Sequence, residues 1–272
     1  MEFASPEFVS VGGRRLAYEE VSPPDPAGNV LLLCGIGAKR QGWYEQLPVL
    51  GRRFRTLALD YRDVGDSDPA GGPFGIDDLA DDVAGLADEL GMERASLIGI
   101  SMGGFIALQL ALRRPGFVDR LILVVTSAGG ASHVSTSPEV MQALMPGEDE
   151  YESGEGARRV CSLVAAPGFA ERRPDAIEQF VDIARYKPMH RDAYLRQLMA
   201  CRAHDVGDRL GEIRAPTLVI HGDVDPLVRI ENGRFLAEHI PGARLVVYED
   251  VGHIPEVECA GEFNRDLLAF LE

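Results

Sequence analysis

The chain places a serine between two glycines, in Gly99-Ile100-Ser101-Met102-Gly103, and follows it with aspartate and histidine in the order Ser, Asp, His. A serine hydroxyl is a weak nucleophile until a base takes its proton and a carboxylate orients that base. His253, in Gly252-His253-Ile254-Pro255, is the candidate base. Asp223 and Asp225, in His221-Gly222-Asp223-Val224-Asp225-Pro226, are the candidate carboxylates. Such a set attacks a carbonyl carbon and passes through an oxyanion, chemistry that requires neither metal nor cofactor.

Strands must deliver these residues to one place. The apolar run Ala95-Ser96-Leu97-Ile98 precedes the serine and the helix-like Gly104-Phe105-Ile106-Ala107-Leu108-Gln109-Leu110 follows it, so Ser101 is expected on a tight strand-to-helix turn. Pro216-Thr217-Leu218-Val219-Ile220 runs into the aspartates, and Leu245-Val246-Val247-Tyr248 runs towards His253. All three positions lie just past the carboxyl end of a strand, which is where open parallel α/β sheets bind ligands. Strands are expected near 8–11, 14–20, 29–34, 55–59, 95–100, 119–125, 216–221 and 244–248, with helical stretches alternating after the third. That alternation predicts an α/β fold: a mostly parallel eight-stranded sheet with helices on both faces, opened by a hairpin at Gly12-Gly13. After Ser127-Ala128-Gly129-Gly130 the alternation stops. Residues 131–207 read as helical, punctuated at Pro138, Pro146-Gly147, Pro167-Gly168, Pro174 and Pro188. A core of 1–130 and 208–272 with 131–207 inserted after strand six is the expected organisation.

These motifs resemble the α/β-hydrolase superfamily over nearly the whole chain. Asp60-Tyr61-Arg62-Asp63-Val64-Gly65-Asp66-Ser67 is similar to the family's D-x-R-G-x-G-x-S turn after strand four, and Arg114-Pro115-Gly116-Phe117-Val118-Asp119-Arg120-Leu121 to its approach to strand six. The resemblance puts Ser101, Asp225 and His253 on the triad positions, selecting Asp225 over Asp223. It assigns the oxyanion hole to the backbone N–H groups of Ile36 and Met102, with Cys34 standing where relatives carry the histidine of His-Gly-x-Gly. It makes 131–207 a cap over the site. Met141, Leu144, Met145, Phe169, Phe180, Tyr186, Met189, Tyr194 and Met199 are its large apolar residues; of these Met141, Met145, Tyr186 and Met189 are expected at the substrate. The serine disfavours the haloalkane dehalogenases and epoxide hydrolases of this fold, which place aspartate at the turn. What remains resembles the carboxylesterase and enol-lactonase branch, where Lys39 and Arg40 are the cations available for a substrate carboxylate. A small ester or lactone is the expected substrate. C–C bond hydrolysis, perhydrolysis or lyase chemistry on the same triad, and a ligand receptor without turnover, are the alternatives.

Composition narrows the classes further. A chain of 272 residues with 46% hydrophobic residues buries a substantial core, and a net charge of −16 argues against nucleic acid and anionic membrane surfaces as partners. No apolar run reaches the roughly 20 residues of a membrane span, and the first residues lack a signal-peptide pattern, so cytoplasm is the expected compartment. Cys34, Cys161, Cys201 and Cys259 show no C-x-x-C pairing and read as free thiols. The acidic run Asp77 to Asp82 reads as a helix start rather than a metal cluster. His133, His190, His204, His221 and His239 are expected to be solvated or capping. No cofactor is expected, and a homo-oligomer is compatible with the apolar cap.

Overall fold

The structure is a computed structural model, and it describes residues 3–143, 145 and 154–272. The chain opens with a hairpin of β1 (Glu7–Val11) and β2 (Arg14–Val21). Its turn is Gly12-Gly13, both left-handed at φ 54° and 80°, the geometry that matches a two-residue hairpin to the twist of its strands. β3 (Asn29–Leu33), β4 (Arg55–Leu59), β5 (Ala95–Ile100), β6 (Val118–Val124), β7 (Thr217–Gly222) and β8 (Arg244–Tyr248) complete one sheet of order β1-β2-β4-β3-β5-β6-β7-β8. β2 pairs antiparallel with β1 and β4; the other pairs are parallel. The strand boundaries fall within one residue of the expected ones. The interior strands are apolar runs because both of their faces are covered: Leu31, Leu32, Leu57, Leu97, Ile98, Leu121, Ile122, Val219 and Ile220 are all buried.

Helices α1 (Leu47–Leu50), α2 (Ile76–Glu89) and α3 (Met102–Arg113) connect the first parallel strands. At the start of α2 the Asp78 carboxylate accepts the Gly75 amide at 2.8 Å, while Asp82 pairs with Arg62 and Arg14; the acidic run is a helix terminus and an ion-pair anchor. The segment between β6 and β7 holds α4 (Pro138–Ala143), α5 (Glu155–Val164), α6 (Phe169–Arg172), α7 (Pro174–Arg185) and α8 (Arg191–Ala203). Its two ends meet, with Gly129 bridging Asp205 and the Gly130 amide donating to the His204 carbonyl at 3.0 Å. After β7 come α9 (Ile230–His239), β8, the short α10 (Pro255–Glu258) and α11 (Ala260–Leu271). Among the described residues no helix is long and apolar enough to cross a membrane, and no His, Cys, Asp and Glu cluster is arranged to hold a metal. All four cysteines are free.

The order of the strands fixes where a ligand can sit. β3 is followed by a neighbour on one side, β4, and β5 by a neighbour on the other, β6, so the loops leaving β3 and β5 diverge and open a crevice at their carboxyl ends. Register keeps those ends level: Leu33 lies opposite Gly99, Gly99 opposite Leu123, and Gly222 opposite Tyr248.

Candidate active site

β5 turns directly into α3 at Ser101, whose backbone stands at φ 53°, ψ −116°. An L-residue held there costs about 1–3 kcal/mol, so the surroundings must over-determine it. They do: the Ser101 amide donates to the Val124 carbonyl at 2.9 Å, and the Ser101 carbonyl accepts from Thr126 Oγ1 at 2.7 Å and from the Gly104 amide at 2.9 Å. Gly103 has no room for a side chain, since a Cβ there would stand 2.1 Å from the Leu33 carbonyl oxygen. The flanking glycine lets α3 press against β3 and thereby sharpens the turn. Ser101 is left at the N-terminus of a twelve-residue helix, beside amides with no intrahelical partner.

Gly35 follows β3 and is packed against the serine: a Cβ on it would lie 3.4 Å from Ser101 Cβ. Ile36, next in this loop, lines the same cavity as Ser101, and Met102 is the first residue of α3. Cys34 is buried, its thiol donating to the Lys39 carbonyl at 3.3 Å while its own carbonyl accepts from Tyr61 Oη at 3.3 Å. The thiol fills space and orders the loop.

The loops after β7 and β8 bring Asp225 to His253. Asp225 Oδ2 lies 2.7 Å from His253 Nδ1, and Oδ1 accepts the amides of Leu227 and Val228 at 2.8 and 2.9 Å, which fixes the plane of the carboxylate. Asp223 is exposed and takes no part. A carboxylate on Nδ1 fixes the proton there and leaves Nε2 as the acceptor. Burial pulls the His253 pKa down, but the adjacent Asp225 carboxylate overcomes it, and Glu256 and Glu258 add to the rise above the ordinary histidine value. Glu258 also clamps the backbone around the imidazole. It accepts the amides of Gly252 at 3.0 Å, Ile254 at 3.2 Å and Ala166 at 2.7 Å, while the His253 amide donates to the Val164 carbonyl at 2.8 Å. Beneath Asp225, His221 is fully buried and its Nε2 donates to the Val228 carbonyl at 2.7 Å; burial lowers its pKa. His204 is likewise buried, stacked on Phe105 with centroids 4.5 Å apart. The expectation that these two histidines are solvated or capping is therefore corrected.

Ser101 and His253 open on a cavity of about 260 Å³, near the lower end of the range for small-molecule sites. Trp43, Tyr44, Ile254 and Val257 line one part. Met141, Met145, Val160, Phe180, Tyr194 and Leu198, from the segment between β6 and β7, line the rest. Met141 and Met145 are thus among the lining residues, and Leu144 lies outside the described residues. Arg40, Tyr186 and Met189 do not line the cavity. Arg40 is fully buried away from it, its guanidinium paired with Asp60 and, at 2.9 Å, with Asp66. Tyr186 turns to the same carboxylate, donating from Oη to Asp66 Oδ2 at 2.9 Å. Met189 is packed into the main hydrophobic core, and Met199 is exposed.

Two charged residues of the cavity are Lys39 and Glu256. Lys39 is buried, its ammonium donating to the carbonyls of Ile183 and Ala184 in the last turn of α7 at 3.2 and 3.3 Å; burial lowers its pKa to about 8. Glu256, three residues past His253, escapes a sequence reading because glutamate is normally exposed. Its flanking Pro255 and Val257, both buried, are the only local sign.

Residues 28–258 match the profile of the alpha/beta hydrolase fold. The 2-hydroxy-6-oxononadienedioate/2-hydroxy-6-oxononatrienedioate hydrolase of Cupriavidus pinatubonensis is 31% identical over 90% of this chain and 87% of its own length. The putative carbamate hydrolase RutD of Rhizobium rhizogenes is also 31% identical, over 91% of this chain and 94% of its own. Among solved structures, the enol-lactonase from Burkholderia xenovorans LB400 superposes with a TM-score of 0.86 at 30% identity, covering 97% of this chain and 99% of that one. A strained serine after β5, an aspartate–histidine pair after β7 and β8, and these likenesses lead to one conclusion: the chain belongs to the α/β-hydrolase fold family, on the branch that includes the enol-lactonases.

Proposed function

We propose that the protein is a serine hydrolase that cleaves a small carboxylic ester or lactone through an acyl-enzyme, with residues 131–207 as the cap over its cavity. The observation that carries this reading is the His253–Asp225 pair at 2.7 Å, opening with Ser101 on one apolar cavity. In this mechanism His253 Nε2 takes the Ser101 proton as Oγ attacks the carbonyl carbon, and Asp225 stabilises the imidazolium. The amides of Ile36 and Met102 receive the oxyanion. The intermediate collapses when His253 returns its proton to the leaving alkoxide; His253 then takes a proton from water, which releases the acid and restores the serine. Similarity to the enol-lactonase supports an ester-type carbonyl as the target.

A second reading, cleavage of a carbon–carbon bond beside a ketone, is favoured by the similarity to the oxononadienedioate hydrolase. A dioate carries two carboxylates, however, whereas in this cavity the Lys39 ammonium is already bound to two carbonyls and Glu256 adds a carboxyl. The ester reading fits that electrostatics better. The test is rapid-mixing hydrolysis of a short-chain p-nitrophenyl ester by wild type and Ser101→Ala. A Ser101-dependent burst of p-nitrophenol matching the enzyme concentration is expected when deacylation limits; equal turnover by both proteins would remove Ser101 as nucleophile.

A further inference from the structure

Glu256 is a carboxyl group in an apolar cavity that is only partly satisfied: its own backbone amide and the His253 charge favour the carboxylate, but one oxygen is left over. Oε2 is buried and, among the described residues, has no hydrogen-bond partner. The other charged side chain of the cavity, Lys39, is engaged with the Ile183 and Ala184 carbonyls. Around Glu256 the cavity presents Trp43, Tyr44, Ile254 and Val257; the Trp43 indole N–H is itself without a partner, and neither it nor the Tyr44 hydroxyl bonds Glu256 Oε2. Its own main chain is anchored, with the Glu256 carbonyl accepting from Gln46 Nε2 at 2.9 Å. A buried polar atom without a partner carries a cost that folding alone gives no reason to keep. A ligand that donates to it removes that cost.

We infer that Glu256 is the specificity-determining residue of this cavity, and that the substrate is an ester or lactone whose apolar arm carries a hydroxyl or amine donor that Glu256 accepts. This rests on the serine-hydrolase reading for the reaction, and on Glu256 alone for the choice of substrate. Burial lifts the Glu256 pKa to about 7, outweighing its own backbone amide and the His253 charge, which pull it down. A substrate arm ending in a carboxylate is rejected by the same group.

The test uses p-nitrophenyl esters of six-carbon acids: the plain alkanoate, isomers with a hydroxyl or an amine walked along the chain, and the half-ester of the dicarboxylic acid. At least one donor-bearing ester is expected to exceed the alkanoate in kcat/KM by about tenfold, through KM, with the carboxylate ester poorest. Glu256→Leu abolishes that preference and accelerates the alkanoate. Glu256→Gln, which keeps an acceptor without the charge and conserves the fold should the leucine variant fail, retains the hydroxyl preference and loses the advantage of amine over hydroxyl. The proposal is overturned if no donor-bearing ester surpasses the alkanoate, or if the Glu256 variants change every ester by one common factor. If wild type turns over none of the esters, the hydrolase reading fails and the substrate inference is decided by binding. Hexanediol or aminohexanol must then displace Nile red about tenfold more tightly than hexanol from wild type, and no more tightly from Glu256→Leu.

Discussion

His253 is useful as a base only when neutral, and three carboxylates work against that. Asp225, Glu256 and Glu258 all favour the imidazolium and lift its pKa above the ordinary histidine value despite burial. Activity is therefore expected to fall as pH drops through a midpoint above about 6.5. The kcat/KM profile of Glu256→Gln, which lacks one of the three, should show that midpoint displaced downwards; an unmoved acid limb would separate Glu256 from the base. Asp225→Asn leaves the ring without its orienting carboxylate and should lower kcat by about 10⁴. Glu256 also has a stability signature. Its carboxyl is raised from 4.5 to about 7 in the folded protein, so the folded state binds the proton more tightly than the unfolded. Stability is unaffected below pH 4.5, declines between 4.5 and 7, and is lower by about 3 kcal/mol at most above that window. Glu256→Gln should consequently raise the melting temperature at pH 8 and leave it unchanged at pH 4. Residue by residue, Ser101 and His253 were legible because each is embedded in a short local pattern, and Asp225 emerged from the family spacing. Glu256 was not legible, because the missing partner of its Oε2 depends on how distant parts of the chain pack around it.

Elements carry the geometry that those residues need. One close approach in the site is between α3 and β3, where any Cβ at position 103 meets the Leu33 carbonyl. Gly103→Ala must move main chain on one side or the other. It is expected to lower both the melting temperature and kcat, as measured by calorimetry and steady-state hydrolysis, even though no reacting group is altered. The strands were legible from their apolar runs, since a sheet buried on both faces writes a continuous pattern. The helices between β6 and β7 were legible as helices, but their facing was not. Met141 and Met145 line the cavity while Met189 packs inward and Met199 points out, and helical periodicity alone cannot choose between a wall of the cavity and a seam of the core.

At the scale of the molecule, the placement of Arg40 shows how a residue next to the site can serve the whole. Its guanidinium joins Asp60 and Asp66, and Asp66 in turn takes Tyr186 and Lys187, so one buried ionic group links the loop after β4 to the chain following α7. Arg40 finds Asp60 and Asp66 at separations of 20 and 26 residues, and Asp66 finds Tyr186 at 120; such pairings are written in no local motif. Arg40→Met strands the Asp60 carboxylate in the interior and should cost about 3–5 kcal/mol in chemical denaturation. The ratio of kcat/KM between an acidic and a neutral ester should stay at the wild-type value, because the side chain does not reach the cavity.

The same wiring bears on how this protein can be rebuilt. The Gly37 amide donates to Gln197 Oε1 at 2.8 Å, Lys39 grips the end of α7, the His253 amide donates to the Val164 carbonyl, and the Glu258 carboxylate accepts the Ala166 amide. The helices over the cavity are thus joined to both loops that flank Ser101. A chimaera that imports these helices from a relative would inherit neither set of bonds unless the loops at 35–39 and 252–258 travelled with them, so the transferable unit is the segment between β6 and β7 together with those two loops.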